Sequence, residues 1–410
     1  MKNIPRTDAP QRRELDITLE AGILLVLSVF MLVFGILLFP IHTGDLPYAP
    51  DSTYGLFLVI VSLQVITLGK TPFGDVRRSW LVVIAGIAAS VIGMGACFIP
   101  AVLSAPVRIL AGVLLLAGGA ALLFQLAFRE DRAAAWLKSP GILRHLALAC
   151  GLVYLLMVLL GLVTLLPVLA IDALTAVLLL VAGASLLYLA WCIQVVRKMY
   201  PESAFPPAGT PSPGQRFPLL REAPLTLTTA LLLFLGVLLA FLAVLLVPVS
   251  TGTLPFSPDG QLGLLLVIMA IQVLAMGETP VGRFRRSWAL VAAGLAFVAL
   301  GVFSCIVPGI LTDMLRVMLG VLNLAGGVVP LSLRVFPLLQ QGGKPKAPVP
   351  PPLRNLLLTQ TVLNVVGILF GTSMLLPGLI PGMVTAAILF CNGILLFLLA
   401  RILSGLPTEA

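Results

Sequence analysis

The chain has 410 residues, 60% of them hydrophobic and only 10% charged, with a formal net charge of +9 and a mean hydropathy of +1.13. Soluble domains carry about a quarter charged residues, so this composition excludes an ordinary soluble enzyme and defines a polytopic membrane protein. Nucleic-acid binding is excluded as well, because no basic run is interleaved with aromatics.

Residues 1–18, with Lys2, Arg6, Arg12 and Arg13, form a charged amino-terminal tail. The apolar run at 19–41 follows it like a secretory signal. It is longer than the roughly 7 to 15 residues of a signal core, and no small-residue cleavage site follows Pro40, so it reads as a retained first helix. Further runs lie at 53–69, 80–103, 109–128, 145–169 and 173–196. A Pro/Gly/Ser-rich stretch at 197–224, containing SAFPPAGTPSPG, reads as a flexible linker. A second set of runs lies at 225–249, 261–277, 288–310, 316–335, 355–378 and 380–402, and a tail follows at 403–410. A helix needs about 20 apolar residues to cross a bilayer. The sequence therefore predicts an all-α protein of twelve transmembrane helices, six in 19–196 and six in 225–402. The runs at 53–69 and 261–277 are short, contain Gln64 and Gln272, and would cross only with little tilt. KPKAPVPPP at 344–352 predicts a stiff, extended connector.

Lysine and arginine fix the orientation. With the amino terminus inside, 23 of the 25 basic residues fall on the cytoplasmic side, as the positive-inside rule requires. Both termini are then cytoplasmic, in the cell inner (plasma) membrane. Anionic headgroups are the implied partner of the basic face.

The chain is internally repeated. GKTPFGDVRRSW at 69–80 returns as GETPVGRFRRSW at 277–288, with eight of twelve positions identical, and TGDLPYAPD at 43–51 returns as TGTLPFSPD at 251–259. Both pairs are 208 residues apart; beyond about residue 140 the offset becomes 210, matching Arg144 to Arg354 and Gly183 to Gly393. Each unit has an even number of helices, which predicts two parallel six-helix repeats about an axis along the membrane normal. Pro40, Pro100 and Pro167 end odd-numbered helices at the outer face, and glycines recur in the helices that return. The predicted building block is a helical hairpin, three to each repeat. The RRSW turns are cytoplasmic anchors: Arg77, Arg78, Arg285 and Arg286 supply inside charge, and Trp80 and Trp288 open the next helix at headgroup level.

Trp80, Gly86, Gly93, Pro100, Gly112 and Gly119 make a Trp-opened helix that ends in proline and is followed by a glycine-rich return helix. This pattern, over 80–128 and 288–335, resembles the HdeD acid-resistance family of six-helix inner-membrane proteins. The resemblance implies envelope stress protection, carried here by two tandem modules. The 6+6 division, the middle linker and the turn with Gly74, Asp75, Arg77 and Arg78 also look like the major facilitator transporters; the second copy has Arg283 in place of the Asp.

Catalytic constellations are absent from the sequence. His42 and His145 fall on opposite faces of the membrane, the five cysteines show no CxxC, and no Walker loop, GxSxG, HExxH or dinucleotide fingerprint occurs. No cofactor or metal is implied, and the chain does not read as an enzyme. No helix carries an ionisable residue near its midpoint, so the intramembrane polar candidates are amides: Gln64, Gln272, Asn323, Asn364 and Asn392. They serve either as interhelical hydrogen bonds or as a solute site. Arg108 and Arg316 are the two basic residues on the outer side, 208 apart, as are the outer-loop acids Asp51 and Asp259. The expected pairs are Asp51 with Arg108 and Asp259 with Arg316, with Asp313 a rival for Arg316 and an anion or lipid phosphate the alternative partner. Two functions follow from the sequence. The first is a non-catalytic HdeD-like protein of envelope maintenance, or a subunit with a membrane or envelope partner. The second is a carrier of a small neutral or amphipathic solute through the interface of the repeats.

Overall fold

The computed structural model describes residues 19–68, 80–128, 141–166, 172–199, 227–276, 278–279, 282–283, 288–340, 351–376 and 378–404. Within them lie twelve long helices: α1 (Leu19–His42), α2 (Pro50–Leu68), α3 (Trp80–Phe98), α4 (Ser104–Phe128), α5 (Ile142–Leu165), α6 (Asp172–Met199), α7 (Leu227–Ser250), α8 (Pro258–Met276), α9 (Trp288–Ile306), α10 (Thr312–Gln340), α11 (Pro351–Leu375) and α12 (Gly382–Ser404). A two-residue hairpin, β1 (Glu278–Thr279) with β2 (Gly282–Arg283), lies between α8 and α9. Ten helices are long and apolar enough to cross a membrane, and two shorter apolar ones fall in α2 and α8. The protein is a multi-pass membrane protein. The anchor arginines Arg77, Arg78, Arg285 and Arg286 lie outside the described residues, as do most of the linkers.

The repeated TGxLP motif is a helix terminator. α1 and α7 continue two residues past Pro40 and Pro248, because a proline so near the carboxyl end still contributes its carbonyl. Pro40 O accepts Asp45 N–H at 2.9 Å and Pro248 O accepts Thr253 N–H at 3.0 Å. The hydroxyls of Thr43 and Thr251 donate to the same carbonyls. The turn needs the left-handed region at Gly44 (φ 82°) and Gly252 (φ 74°), which only glycine enters at low cost.

Helix pairing departs from the expected hairpins. The closest partners are α2 with α3, α4 with α5 and α1 with α6, and likewise α8 with α9, α10 with α11 and α7 with α12; α3 and α4 touch little. Glycine notches decide this. A Cβ on Gly55 would overlap the carbonyl oxygen of Gly93, and one on Gly93 would lie 2.6 Å from that of Gly55. Gly263 and Gly301 repeat the arrangement. Gly161 meets the backbone of Leu116 on α4, and Gly371 meets that of Leu324 on α10. Apolar side chains gain little by leaving lipid for another helix, so backbone approach and dense packing select the partner.

α2 and α8 are buried nearly all round, because α1, α2 and α3 meet α7, α8 and α9 at the centre of the molecule. Their central position, shielded from lipid by neighbours, accommodates their shorter apolar length. Two reciprocal hydrogen bonds cross this interface: Ala49 N–H to Ile306 O and Ser257 N–H to Phe98 O, both 2.9 Å and 208 residues apart in register.

Gly55→Ala and Gly93→Ala should each lower stability in detergent by about 1–3 kcal/mol, the usual cost of overpacking. Gly118→Ala, where no atom lies within 4 Å of the added carbon, should leave stability unchanged or slightly raised. Thermal unfolding of the three variants checks the assignment of the crossings.

Candidate functional site: an amide-lined cavity

Four of the five amides singled out in the sequence converge. Gln272 on α8, Asn323 on α10, Asn364 on α11 and Asn392 on α12 line one cavity of about 380 Å³. Its walls are apolar: Leu235, Leu238, Leu239 and Leu242 of α7, Leu389 and Leu396 of α12, and Phe370 of α11, with Met94 of α3 the one contribution from the first half. Gly326, Gly327 and Gly367 complete the lining. Gly327 also brings α10 and α11 together, since a Cβ there would collide with the backbone carbonyl of Asn364.

The amides are only partly committed. Asn323 donates its Nδ2 to Leu319 O at 2.8 Å, one turn back on its own helix. Among the described residues, the side chains of Gln272, Asn364 and Asn392 have no hydrogen-bond partner. All three are half-buried and line the cavity, so their amides are open to an occupant and tie no helices together among the described residues. Among the described residues no Asp, Glu, Lys, Arg or His lines the cavity. It offers neutral donors and acceptors on an apolar wall, which suits an uncharged solute with a few polar groups.

The first half does not repeat this chemistry. Only Gln64 keeps its type, and it is already engaged in an interaction of its own. At the positions equivalent to Asn323, Asn364 and Asn392 stand Leu115, Tyr154 and Ala182, all buried. The first half nevertheless has its own cavity, of about 180 Å³, lined by Phe30, Phe34, Phe57, Tyr48, Tyr54 and Arg108 among others. In register, Phe30, Phe34 and Phe57 correspond to Leu238, Leu242 and Leu265 of the larger cavity. Sequence reasoning missed this second space, although the Phe-to-Leu changes at matched positions were a readable signal.

The outer-face pairs differ from expectation. Asp51 accepts the N–H of Ala101 at 2.6 Å rather than reaching Arg108. Ala101 has φ 69°, a left-handed conformation unfavourable to alanine, and Gly309 takes the same place in the second half with φ 86°. Asp259 accepts the hydroxyl of Thr312. Arg316 pairs with Asp313 at 3.1 Å, on the same turn of α10. Both repeated acids open a helix, where the macrodipole favours negative charge, and each fastens the entry to the helix after next, α4 for Asp51 and α10 for Asp259. Arg108 has no ion pair among the described residues.

Trp80 and Trp288 are the first residues of α3 and α9 and are exposed. His42 closes α1, and His145 near the start of α5 hydrogen-bonds Tyr188 at 3.0 Å. Among the described residues no three His, Cys, Asp or Glu side chains are grouped to hold a metal. Comparison of the chain with family models, with curated proteins and with solved structures finds no match.

Asn364→Leu and Asn392→Leu should each leave the unfolding free energy of the solute-free protein unchanged or raise it by up to about 1 kcal/mol, because a half-buried amide without a partner gives way to an apolar side chain on an apolar wall. Gln64→Leu, at a position already engaged with a partner, should lower it. Equilibrium unfolding in detergent separates the two outcomes, and destabilisation by both asparagine replacements would identify them as structural.

Proposed function

We propose that the protein is a non-catalytic multi-pass membrane protein that binds and carries a small neutral solute in the amide-lined cavity of its second half. The observation that carries this reading is the convergence of Gln272, Asn364 and Asn392, without partners among the described residues, on a cavity of about 380 Å³. Asn364 and Asn392 lie near the middle of α11 and α12, the depth at which carriers hold solute, and Gln272 lies in the last two turns of α8. The solute has both donors and acceptors on a compact uncharged body, as in a small polyol or a small alkyl amide. Between the halves, the space beside Val59, Leu63 and Phe234 amounts to only about 10 Å³.

The chain is read as two parallel six-helix repeats, supported by contacts that recur in register, such as Gly55 with Gly93 and Gly263 with Gly301. The inner membrane, with both termini cytoplasmic, is supported by the distribution of lysine and arginine. Envelope maintenance of the HdeD kind fits the same helical build without any solute, and the open amides are what favour the carrier.

Thermal unfolding of the purified protein in detergent, against millimolar glycerol, erythritol, N-methylacetamide and dimethylurea, tests the site. At least one should raise Tm, and the combined variant Gln272→Leu, Asn364→Leu, Asn392→Leu should lose that rise. No rise with any solute, or one that survives in the variant, defeats the carrier reading. Orientation is tested with thiols in a cysteine-free background: Thr210→Cys and Pro348→Cys should resist an impermeant maleimide in intact cells and react after lysis.

A further inference from the structure

The first-half cavity holds a charge with no acidic partner among the described residues. Arg108 lines it and is exposed, no Asp or Glu contributes to the lining, and no ion pair to Arg108 occurs among the described residues. Arg108 is on the fifth residue of α4, close to the positive end of the helix dipole, where a cation is disfavoured unless paired. Tyr54 lines the same cavity as Arg108. The second half treats the equivalent residue differently. Arg316 is neutralised by Asp313 at 3.1 Å, and the position equivalent to Asp313 is Ala105 in the first half. The aromatic floor is also particular to the first half, since Phe30, Phe34 and Phe57 stand where the second half has leucines.

We propose that this cavity binds an amphipathic organic monoanion, its carboxylate or phosphate held by the Arg108 guanidinium at the rim and its apolar body packed among Phe30, Phe34 and Phe57. A guanidinium offers two parallel donors to such a head group. Size limits the body. A dry protein cavity of about 150 Å³ holds a benzene ring, so 180 Å³ admits a ring or a short chain but not a whole phospholipid. The anion is either a free organic acid or the head and first carbons of an anionic lipid entering from the side. This site goes beyond the carrier reading, uses different residues and stands or falls separately from it.

The probes are octanoate and benzoate, titrated calorimetrically into the detergent-solubilised protein, and phosphatidylglycerol, scored by its retention in native mass spectra against phosphatidylcholine. One of the two anion classes should bind, with octanol at least tenfold weaker than octanoate if the free acid is the ligand. Arg108→Gln should weaken binding at least tenfold. Ala105→Asp, at an exposed position, supplies the acid that the second half has, and should weaken binding equally while keeping the arginine. Arg316→Gln should leave affinity unchanged. Binding of octanoate or benzoate alone assigns a free acid, and selective retention of phosphatidylglycerol alone assigns a lipid. Failure of both classes to bind overturns the proposal, as does binding that survives both Arg108→Gln and Ala105→Asp in variants with unchanged melting curves.

Discussion

Where Gly55 faces Gly93, each carbonyl oxygen occupies the space that a β-carbon of the other residue would need. That mutual fit is what a helix pair in lipid has in place of a hydrophobic drive. It draws α2 against α3, the same notch draws α8 against α9, and these two pairs form much of the centre of the molecule. With the centre dense, space is left further out in each half, between the central pair and the outlying helices. Both cavities lie there, and their linings share positions such as Phe34 with Leu242 and Ala111 with Leu319.

The two halves use that space in opposite ways. In the second half, shortening aromatics to leucine opens the volume, and amides at 323, 364 and 392 make its wall polar. In the first, Tyr154 is buried at the position of Asn364, and the polarity sits at the rim on Arg108. A charge at the rim and amides in the depth suit different ligands. The acid that quenches Arg316 and is missing beside Arg108 follows the same division.

Helix number and approximate bounds were legible in the apolar runs, because backbone satisfaction in lipid leaves a chain of this composition no alternative to helices. Partner choice was not. Sequence order suggested outer hairpins, but contact depends on which way Gly93 or Gly161 faces, and that rotation is set by neighbours. The amides stood out as rare polar letters in apolar text, while their convergence required the rotation of four helices. Asp51 was matched with Arg108 by charge. The group that holds it, the N–H of Ala101, belongs to the backbone and has no letter of its own.

The two hydrogen bonds that cross the centre have a bearing on what counts as a complete unit. The carbonyls of Phe98 and Ile306 close α3 and α9, and each is answered by an N–H from the opposite half, at Ser257 and Ala49. A six-helix half on its own would present one open carbonyl and one open N–H at this surface, together with the face of a helix otherwise enclosed. The placement of residues 19–199 against 227–404 is thus written into backbone groups at the ends of α3 and α9 as well as into side chains.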